Sequence, residues 1–212
     1  MSTSRVRAKL LAKVHRGQAK LAVIGLGRVG LPLSVMFATS GFSVIGSDRD
    51  VNYVSTLKEG RMLFKEDDAN GLFSKMLHSK KLRLTVNAEE AIRESDIIMV
   101  TVGTPITDRY NVNYSQIRGV LQALVNAGIE DKALGFRSTM GPGTTEELII
   151  PFLQEQTGLK LGGDFLLAVC PERILEGRAY EELRNLPEIV GSADEASGTV
   201  FGEIFIRINP DK

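Results

Sequence analysis

Short continuous apolar runs alternate along the chain with segments whose apolar residues recur at helical spacing. The run from Ile97 to Val100 has no polar side chain, which is typical of a strand buried on both faces of a sheet. The apolar runs predict strands near residues 20–25, 43–47, 82–85, 96–102, 133–137 and 165–169. The periodic segments predict helices near residues 28–40, 50–59, 68–79, 88–94, 115–127 and 143–156. Strands that alternate with helices predict an α/β fold, a Rossmann-type doubly wound parallel sheet with helices on both faces.

Polar residues mark the starts of two of these helices. Asn87 precedes one helix and Ser115 opens another, and both side chains can accept a hydrogen bond from a free amide of the first turn. We therefore predict that both residues are helix N-caps.

The N-terminus is basic, because seven basic residues precede the first acidic residue, Asp48. These are Arg5, Arg7, Lys9, Lys13, Arg16, Lys20 and Arg28. Together with its serines this composition superficially resembles a transit peptide. The alternative is a surface helix with Val6, Leu10, Leu11 and Val14 on its apolar side, and we favour it.

Overall charge and cysteine content limit the function classes. Lys and Arg together number 26, as do Asp and Glu, so net charge gives no support for a nucleic-acid or membrane partner. No apolar run reaches the roughly 18 residues of a membrane span. The single cysteine, Cys170, excludes an internal disulfide and is typical of a reducing compartment, so we expect a cytoplasmic location.

The segment after the first predicted strand carries a nucleotide-binding pattern. Gly25, Gly27 and Gly30 have the spacing G-x-G-x-x-G between a strand and a helix, and Asp48 ends the next strand. In this context the glycines allow a tight turn, close approach of a pyrophosphate and close packing of the helix, while the acid accepts hydrogen bonds from a ribose. Arg49 could meet the 2′-phosphate of NADP, but Asp48 would repel it, so we favour NAD.

Three further polar clusters follow predicted strands. They are residues 102–105 (VGTP), 138–145 (STMGPGTT) and 170–177 (CPERILEG). Parallel strands carry their ligands at the carboxyl edge of the sheet, where these clusters would meet. An ordinary turn, a set of helix caps and a structural ion pair are the alternatives for the three clusters, respectively.

The ordered motifs GLGRVGLPL, VIGSD, VTVGTPI, RSTMGPGTTEE, CPERILEG and ELRNLPEIVG, taken together, resemble a known family. They are similar to the N-terminal NAD-binding half of the UDP-glucose/GDP-mannose dehydrogenase family, from about Lys20 to about Phe205. Arginine after the glutamate of PERILEG is most similar to the branch that oxidises UDP-N-acetylhexosamines, the glucosamine or mannosamine sugars. The resemblance implies oxidation of the primary alcohol at C6 of the sugar to a carboxylate, with two NAD molecules.

The resemblance also implies roles for individual residues. The implied NAD-binding residues are Gly25, Gly27, Arg28, Val29, Gly30, Asp48, Gly103, Thr104, Pro105, Thr139 and Glu176. Thr139, beside the nicotinamide and a water, and Glu172, in an acid–base network, would be catalytic. Arg173 and Ile174 would contact the sugar nucleotide. His15 and His78 lack a second ligand at metal-binding spacing, so we predict no metal site.

The sequence departs from the family pattern in several places. The family usually has tyrosine in place of Arg28 and lysine or arginine in place of Tyr53. Its nucleophilic cysteine, its catalytic lysine and asparagine and its UDP-binding domain would lie beyond residue 212, and Cys170 does not match the nucleophile's motif. We therefore expect this chain to bind NAD without full turnover of sugar nucleotide, and Cys170 to be a small buried residue.

The predicted organisation has three parts. Residues 1–19 form a basic N-terminal extension, residues 20–191 form the NAD-binding domain, and residues 192–212 form a helical segment leading toward the absent linking helix and UDP-binding domain. The segment from Thr199 to Ile208 is apolar enough to leave an exposed patch, which predicts self-association into a homo-oligomer. Alternatives are a non-catalytic NAD-binding module and a hydroxyacid or acyl-CoA type of Rossmann dehydrogenase, although the latter lacks the STMGPGTT and PERILEG blocks.

Overall fold

A seven-stranded sheet forms the centre of the molecule. The computed structural model describes residues 4–64, 69–109, 111–175 and 177–208. The strands are β1 (Lys20–Ile24), β2 (Ser43–Ser47), β3 (Leu82–Thr85), β4 (Ile97–Val100), β5 (Ala133–Phe136), β6 (Leu166–Val169) and β7 (Gly191–Ser192). They lie in the order β3-β2-β1-β4-β5-β6-β7, and the first six are parallel to their neighbours. The predicted doubly wound sheet is confirmed.

Helices cover both faces of this sheet. They are α1 (Arg5–His15), α2 (Gly30–Thr39), α3 (Val51–Lys58), α4 (Ala69–His78), α5 (Ala88–Arg93), α6 (Ser115–Ala127), α7 (Ile150–Thr157), α8 (Ala179–Asn185) and α9 (Glu195–Ile208). Alternate strand residues enter separate cores: Val23 and Met99 pack with α2 and α9, whereas Ala22 and Ile98 pack with α5 and α6. This alternation explains why the strands are apolar on both sides.

Several local features differ from the predictions. β7 pairs antiparallel with β6, so the sheet is not parallel throughout. The helix predicted over 143–156 begins as a π-helical turn, Thr145–Ile149, before α7. Asn87 caps α5 by accepting from the amide of Glu90 at 3.0 Å, as predicted. The prediction for Ser115 is wrong, because it is the first helical residue and its amide donates to Asn113 at 2.9 Å.

The basic N-terminal segment is the helix α1, packed against the domain. Val6, Leu10 and Val14 are buried in the same core as α9. Two of its lysines form ion pairs with acids: Lys9 Nζ lies 2.6 Å from Asp131 Oδ2, and Lys13 Nζ lies 2.5 Å from Asp96 Oδ1. Much of the basic charge of α1 is therefore paired with acids of the same chain, and the segment forms a helix on the surface of the domain.

The prediction of an exposed apolar patch on the last helix, α9, is wrong. The large apolar residues of α9 that are buried are Val200, Phe201, Ile204, Phe205 and Ile208. Ile206 is 41% exposed. The helical period turns nearly all the apolar side chains of α9 inward.

None of the helices in the described ranges is long and apolar enough to cross a membrane. His15 and His78 are both exposed, and His15 Nε2 lies 3.0 Å from Glu203 Oε2. Within those ranges no three His, Cys, Asp or Glu side chains are grouped so that they could hold a metal ion.

Candidate functional site

A cleft lies at the carboxyl edge of the sheet, where the strand order reverses. β1 pairs with β2 on one side and with β4 on the other, so the loops that follow β1 and β4 diverge toward opposite faces. The opening has a volume of about 390 Å³. Its lining includes Gly25, Gly27, Asp48, Arg49, Thr101, Val102, Gly103 and Gln116. Such a switch point is where open α/β sheets bind ligands.

The glycine-rich turn has the tight geometry that its spacing predicts. Gly25 has φ +97°, a conformation that favours glycine. A Cβ on Gly30 would lie 1.8 Å from Gly25 O, so only glycine lets the start of α2 lie this close to β1. Thr101 Oγ1 donates to Gly25 O at 2.7 Å. A Cβ on Gly27 would meet nothing within 4 Å, which leaves its face open to the cleft.

Asp48 connects the end of β2 to this turn. Its Oδ2 accepts from the Leu26 amide at 2.8 Å, and its Oδ1 accepts from the Asp50 amide at 3.1 Å. The carboxylate is half-buried and lines the cleft, with the exposed Arg49 beside it. It is therefore fixed where a ribose can reach it.

The two departures from the family pattern lie on either side of the turn. Arg28 is exposed, with its guanidinium 6.0 Å from the centre of the Phe64 ring. The Tyr53 hydroxyl donates to Leu26 O at 2.7 Å. Burial, and then the charge of Asp48, raises the pKa of Tyr53 to about 12, so the phenol keeps its proton.

The other end of the cleft is apolar. Val86, Ala88, Val120 and Ala123 line it, from the loop after β3 and from α5 and α6. Sequence reasoning did not single these residues out, since on helices and at a strand end they look like ordinary core residues. A flat aromatic group such as a purine base suits walls of this kind.

Two predicted loops meet beside the cleft. Thr104 Oγ1 donates to Thr139 O at 2.5 Å, and Ser138 Oγ donates to Val102 O at 2.6 Å. The Thr139 side chain is exposed and Gly103 lines the cleft. Pro105 is exposed, and its carbonyl accepts from the Asn113 amide at 2.8 Å. The hydroxyls of this edge thus hold the two loops together.

Tyr114 fixes the turn after Thr139, a role that the sequence did not suggest. The Tyr114 hydroxyl accepts from the Gly141 amide at 3.1 Å and lies 2.9 Å from Thr144 Oγ1. Thr144 Oγ1 in turn donates to Gly141 O at 2.7 Å. These bonds close a ring around Gly141.

The third loop is organised by Arg137, which the sequence analysis also missed. Arg137 is 2% exposed at the end of β5. Its Nε donates to Glu172 Oε2 at 2.5 Å and its Nη1 to Glu188 Oε2 at 3.0 Å. Burial alone would lower the pKa of this guanidinium, but the bonds and charges of Glu188 and Glu172 outweigh burial and raise it. A cation buried between two carboxylates is thereby stabilised.

Glu172 accepts two further hydrogen bonds, from the amides of Arg173 at 2.6 Å and Ile174 at 2.7 Å, both to Oε1. The guanidinium of Arg173 donates to Pro187 O, and Ile174 is half-buried against the core. Of the residues predicted to contact substrate, Arg173 is thus bonded to the segment before β7 and Ile174 packs on the core. Glu176, the remaining predicted cofactor contact, lies outside the described residues.

Comparison with known proteins decides the family. Residues 19–209 match the UDP-glucose/GDP-mannose dehydrogenase family, NAD binding domain. The chain belongs to this family. It is 30% identical over 189 residues to UDP-N-acetyl-D-mannosamine dehydrogenase of Pyrococcus horikoshii, across 88% of this chain and 44% of that protein. It is 31% identical over 196 residues to GDP-mannose 6-dehydrogenase of Pseudomonas savastanoi pv. phaseolicola, across 90% and 44%.

A solved structure of an NDP-N-acetyl-D-galactosaminuronic acid dehydrogenase from Methanosarcina mazei superposes with a TM-score of 0.87. It is 30% identical, and the match covers 98% of this chain and 45% of that one. The chain thus spans under half the length of these family members.

NAD is the cofactor of this domain of the family, and the site fits it. Gly27 has open space beside its Cα, so a phosphate group could approach the backbone there. No side chain caps the start of α2, where the Leu31 amide donates to Gly27 O at 3.1 Å. The partial positive charge at a helix N-terminus favours phosphate groups. Asp48 and the apolar end of the cleft line the same opening as Gly27.

Cys170, directly after β6, is fully buried in the core that contains α2 and α9. Burial raises the pKa of its thiol to about 12; the charge of Arg137 opposes this shift, and that of Glu188 adds to it. The thiol is therefore protonated and inert near neutral pH, as expected for a small buried residue.

Proposed function

We propose that this chain is the NAD-binding half of a nucleotide-sugar 6-dehydrogenase acting on a UDP-N-acetylhexosamine. The main observation is the cleft at the switch point, which is lined by the open face of Gly27 and by the fixed Asp48. The loop that bears Thr139 lies beside this cleft, bonded to Thr104. Family relatives named for UDP-N-acetyl-D-mannosamine support a UDP-N-acetylhexosamine substrate. The arginine after Glu172 in PERILEG supports the same branch.

In this proposal different residues of the chain bind different parts of the cofactor. Gly25, Gly27, Arg28, Val29 and Gly30 hold the pyrophosphate, and Asp48 accepts hydrogen bonds from the adenosine ribose. Gly103, Thr104, Pro105 and Thr139 line the nicotinamide side, with Glu176 at the cofactor or substrate. NAD supplies a hydride acceptor, so two molecules are needed to take an alcohol to a carboxylate. Asp48 also disfavours a 2′-phosphate, hence NAD rather than NADP.

Thr139 and Glu172 are the proposed catalytic residues. Thr139 is exposed at the carboxyl edge, where its hydroxyl can orient a water beside the reacting carbon. Glu172 is held by three donors, which fixes the direction of its carboxylate for a part in proton transfer. Arg173 and Ile174, on the same loop, contact the sugar nucleotide in this proposal.

We further propose that these 212 residues bind NAD but do not complete the oxidation alone. The support is that the chain matches only 44% of the length of its relatives. The groups that bind uridine and that trap the oxidised carbon covalently would then come from outside this chain.

Calorimetric titration of the purified chain with NAD, NADP and UDP-N-acetylglucosamine tests the proposal. We expect NAD to bind, NADP to bind at least tenfold more weakly and the sugar nucleotide to bind little or not at all. An Asp48→Asn variant removes the negative charge with little change in shape, and should narrow the difference between NAD and NADP. Equal affinity of the wild-type chain for both dinucleotides would overturn the assignment of Asp48.

A further inference from the structure

Leu26 lies between the first two glycines of the turn, and both its backbone amide and its backbone carbonyl form hydrogen bonds with side chains of the neighbouring strand–helix unit. Asp48 Oδ2 accepts from the Leu26 amide at 2.8 Å, and the Tyr53 hydroxyl donates to the Leu26 carbonyl at 2.7 Å. Both partners come from the β2–α3 unit. The backbone that leads into Gly27 is therefore held without help from a ligand.

Tyr53 is itself fixed. Its amide donates to Asp50 Oδ1 at 2.9 Å, in the bond that caps the first turn of α3. The ring is half-buried against the core. The raised pKa, about 12, keeps the hydroxyl a donor throughout the neutral range. A phenylalanine would fill almost the same volume, so the hydroxyl is the part that the turn uses.

We propose that Tyr53 is a positioning residue for NAD, whose hydroxyl sets the Leu26–Gly27 peptide in the orientation that the pyrophosphate requires. The inference rests on the proposed placement of the pyrophosphate at Gly27. A turn that is already ordered loses less conformational freedom when the ligand binds, which raises affinity. The effect belongs to the ADP part of the cofactor, because the turn lies at that part of the site.

The test compares Tyr53→Phe with the wild-type chain in calorimetric titrations of NAD and of ADP. Thr56→Val is the matched control, because it removes another hydroxyl from α3, one that bonds to Asn52 O at 3.0 Å within the helix. Loss of one hydrogen bond predicts that Tyr53→Phe weakens NAD and ADP by the same factor, about three- to tenfold. Thr56→Val should change neither by more than about twofold.

The outcomes separate this inference from the proposed function. If the wild-type chain binds neither ligand, the placement of the pyrophosphate fails. If the wild type binds and Tyr53→Phe binds as tightly, the placement stands and the role of Tyr53 is overturned. Weaker NAD binding with unchanged ADP binding would also overturn it. A purely structural role would lower the thermal midpoint of the ligand-free variant and leave the affinity of the folded fraction unchanged.

A second measurement uses only the wild-type chain, so it does not depend on whether a Tyr53 variant folds. Amide hydrogen exchange of the wild-type chain without NAD should show the Leu26 amide, which donates to Asp48, protected at least tenfold relative to a free amide. This protection is expected because the role of Tyr53 requires a turn that is ordered before the ligand binds. Exchange at the free rate that slows only after NAD is added would overturn the inference, since NAD would then be what orders the turn.

Discussion

At the scale of single residues, the glycines of the turn satisfy different constraints. Gly30 is required by the fold, since any Cβ would overlap Gly25 O and lie 2.4 Å from Thr101 Oγ1. Gly27 has no neighbour that excludes a side chain. In the proposed function, the need for glycine at Gly27 comes from the pyrophosphate that binds beside it. Sequence spacing alone treats the two positions alike, and only their surroundings separate folding from binding.

We predict opposite behaviour for alanine at these positions. Gly27→Ala should keep the unfolding free energy within about 0.5 kcal/mol of the wild type and weaken NAD at least tenfold, because its methyl group enters the cleft. Gly30→Ala should lower the unfolding free energy by about 1–3 kcal/mol, the usual cost of overpacking. Urea denaturation and NAD titration measure both effects. Gly71→Ala, on α4 with no atom within 4 Å of the added methyl, is the control for adding a methyl group.

We also predict that Cys170 resists alkylation. At pH 8.5 iodoacetamide should modify it at least 100-fold more slowly than in denaturant, because a thiol with a pKa of about 12 holds little thiolate and is buried. Mass spectrometry over time measures the rate. The pKa of the Cys170 thiol in the folded state exceeds its ordinary value of 9.0. Its contribution to the free energy of unfolding is therefore complete below pH 9 and is lost as the pH rises from 9 to about 12. Rapid labelling of Cys170 in the native chain would contradict its assignment as a buried, protonated thiol.

At the scale of elements, the sequence predicts what has enough residues to show a period. The six parallel strands and the helices α2 to α6 follow from apolar runs and helical spacing. β7 is two residues long, both exposed, and α8 is seven residues long, so neither is long enough to show a clear pattern. The glycine turn and Asp48 were predicted because their motif is local. The partners of Arg137 were not predicted, because Glu172 and Glu188 lie 35 and 51 residues away along the chain. The apolar end of the cleft was not predicted either, because its residues look like ordinary core residues.

Helix α1 supplies a prediction at this scale. Leu10→Ala should lower the unfolding free energy by about 2–5 kcal/mol, because Leu10 is fully buried against the domain. Lys9→Met should cost under about 1 kcal/mol, because Lys9 is 43% exposed in its ion pair with Asp131. Urea denaturation of each variant measures the difference. If Leu10→Ala matches the wild type, α1 is not part of the folded core.

At the scale of the whole molecule, Arg137 joins segments that are distant in sequence. It connects the end of β5 to the loop after β6 through Glu172, and to the segment before β7 through Glu188. Its guanidinium also lies 5.6 Å from the centre of the Phe205 ring on α9. The loop that carries the proposed catalytic Glu172 is thus tied to the core by a buried cation.

Arg137→Met should therefore lower the unfolding free energy by about 3–5 kcal/mol, because it leaves two largely buried carboxylates, 12% and 11% exposed, without their cation. Adding Glu172→Gln and Glu188→Gln to this variant should recover part of the loss. Arg83→Met is a matched control: Arg83 also joins two glutamates, Glu90 and Glu94, but is 44% exposed, so the cost should stay under about 1 kcal/mol. Chemical denaturation measures all three variants, and equal losses for Arg83 and Arg137 would contradict the buried network.

The antiparallel strand β7 also determines how the sheet ends. A parallel edge as long as β6 would present a row of unpaired amides and carbonyls to another chain. The two residues of β7 pair with Ala168 and Val169 of this edge, and the Leu167 amide donates to Ser197 Oγ of α9 at 2.9 Å. At the opposite edge, β3 carries the charged Arg83 on its exposed side. Short and charged edges are poor templates for a further strand. The sheet is thereby protected at both ends from the edge-to-edge pairing that begins aggregation.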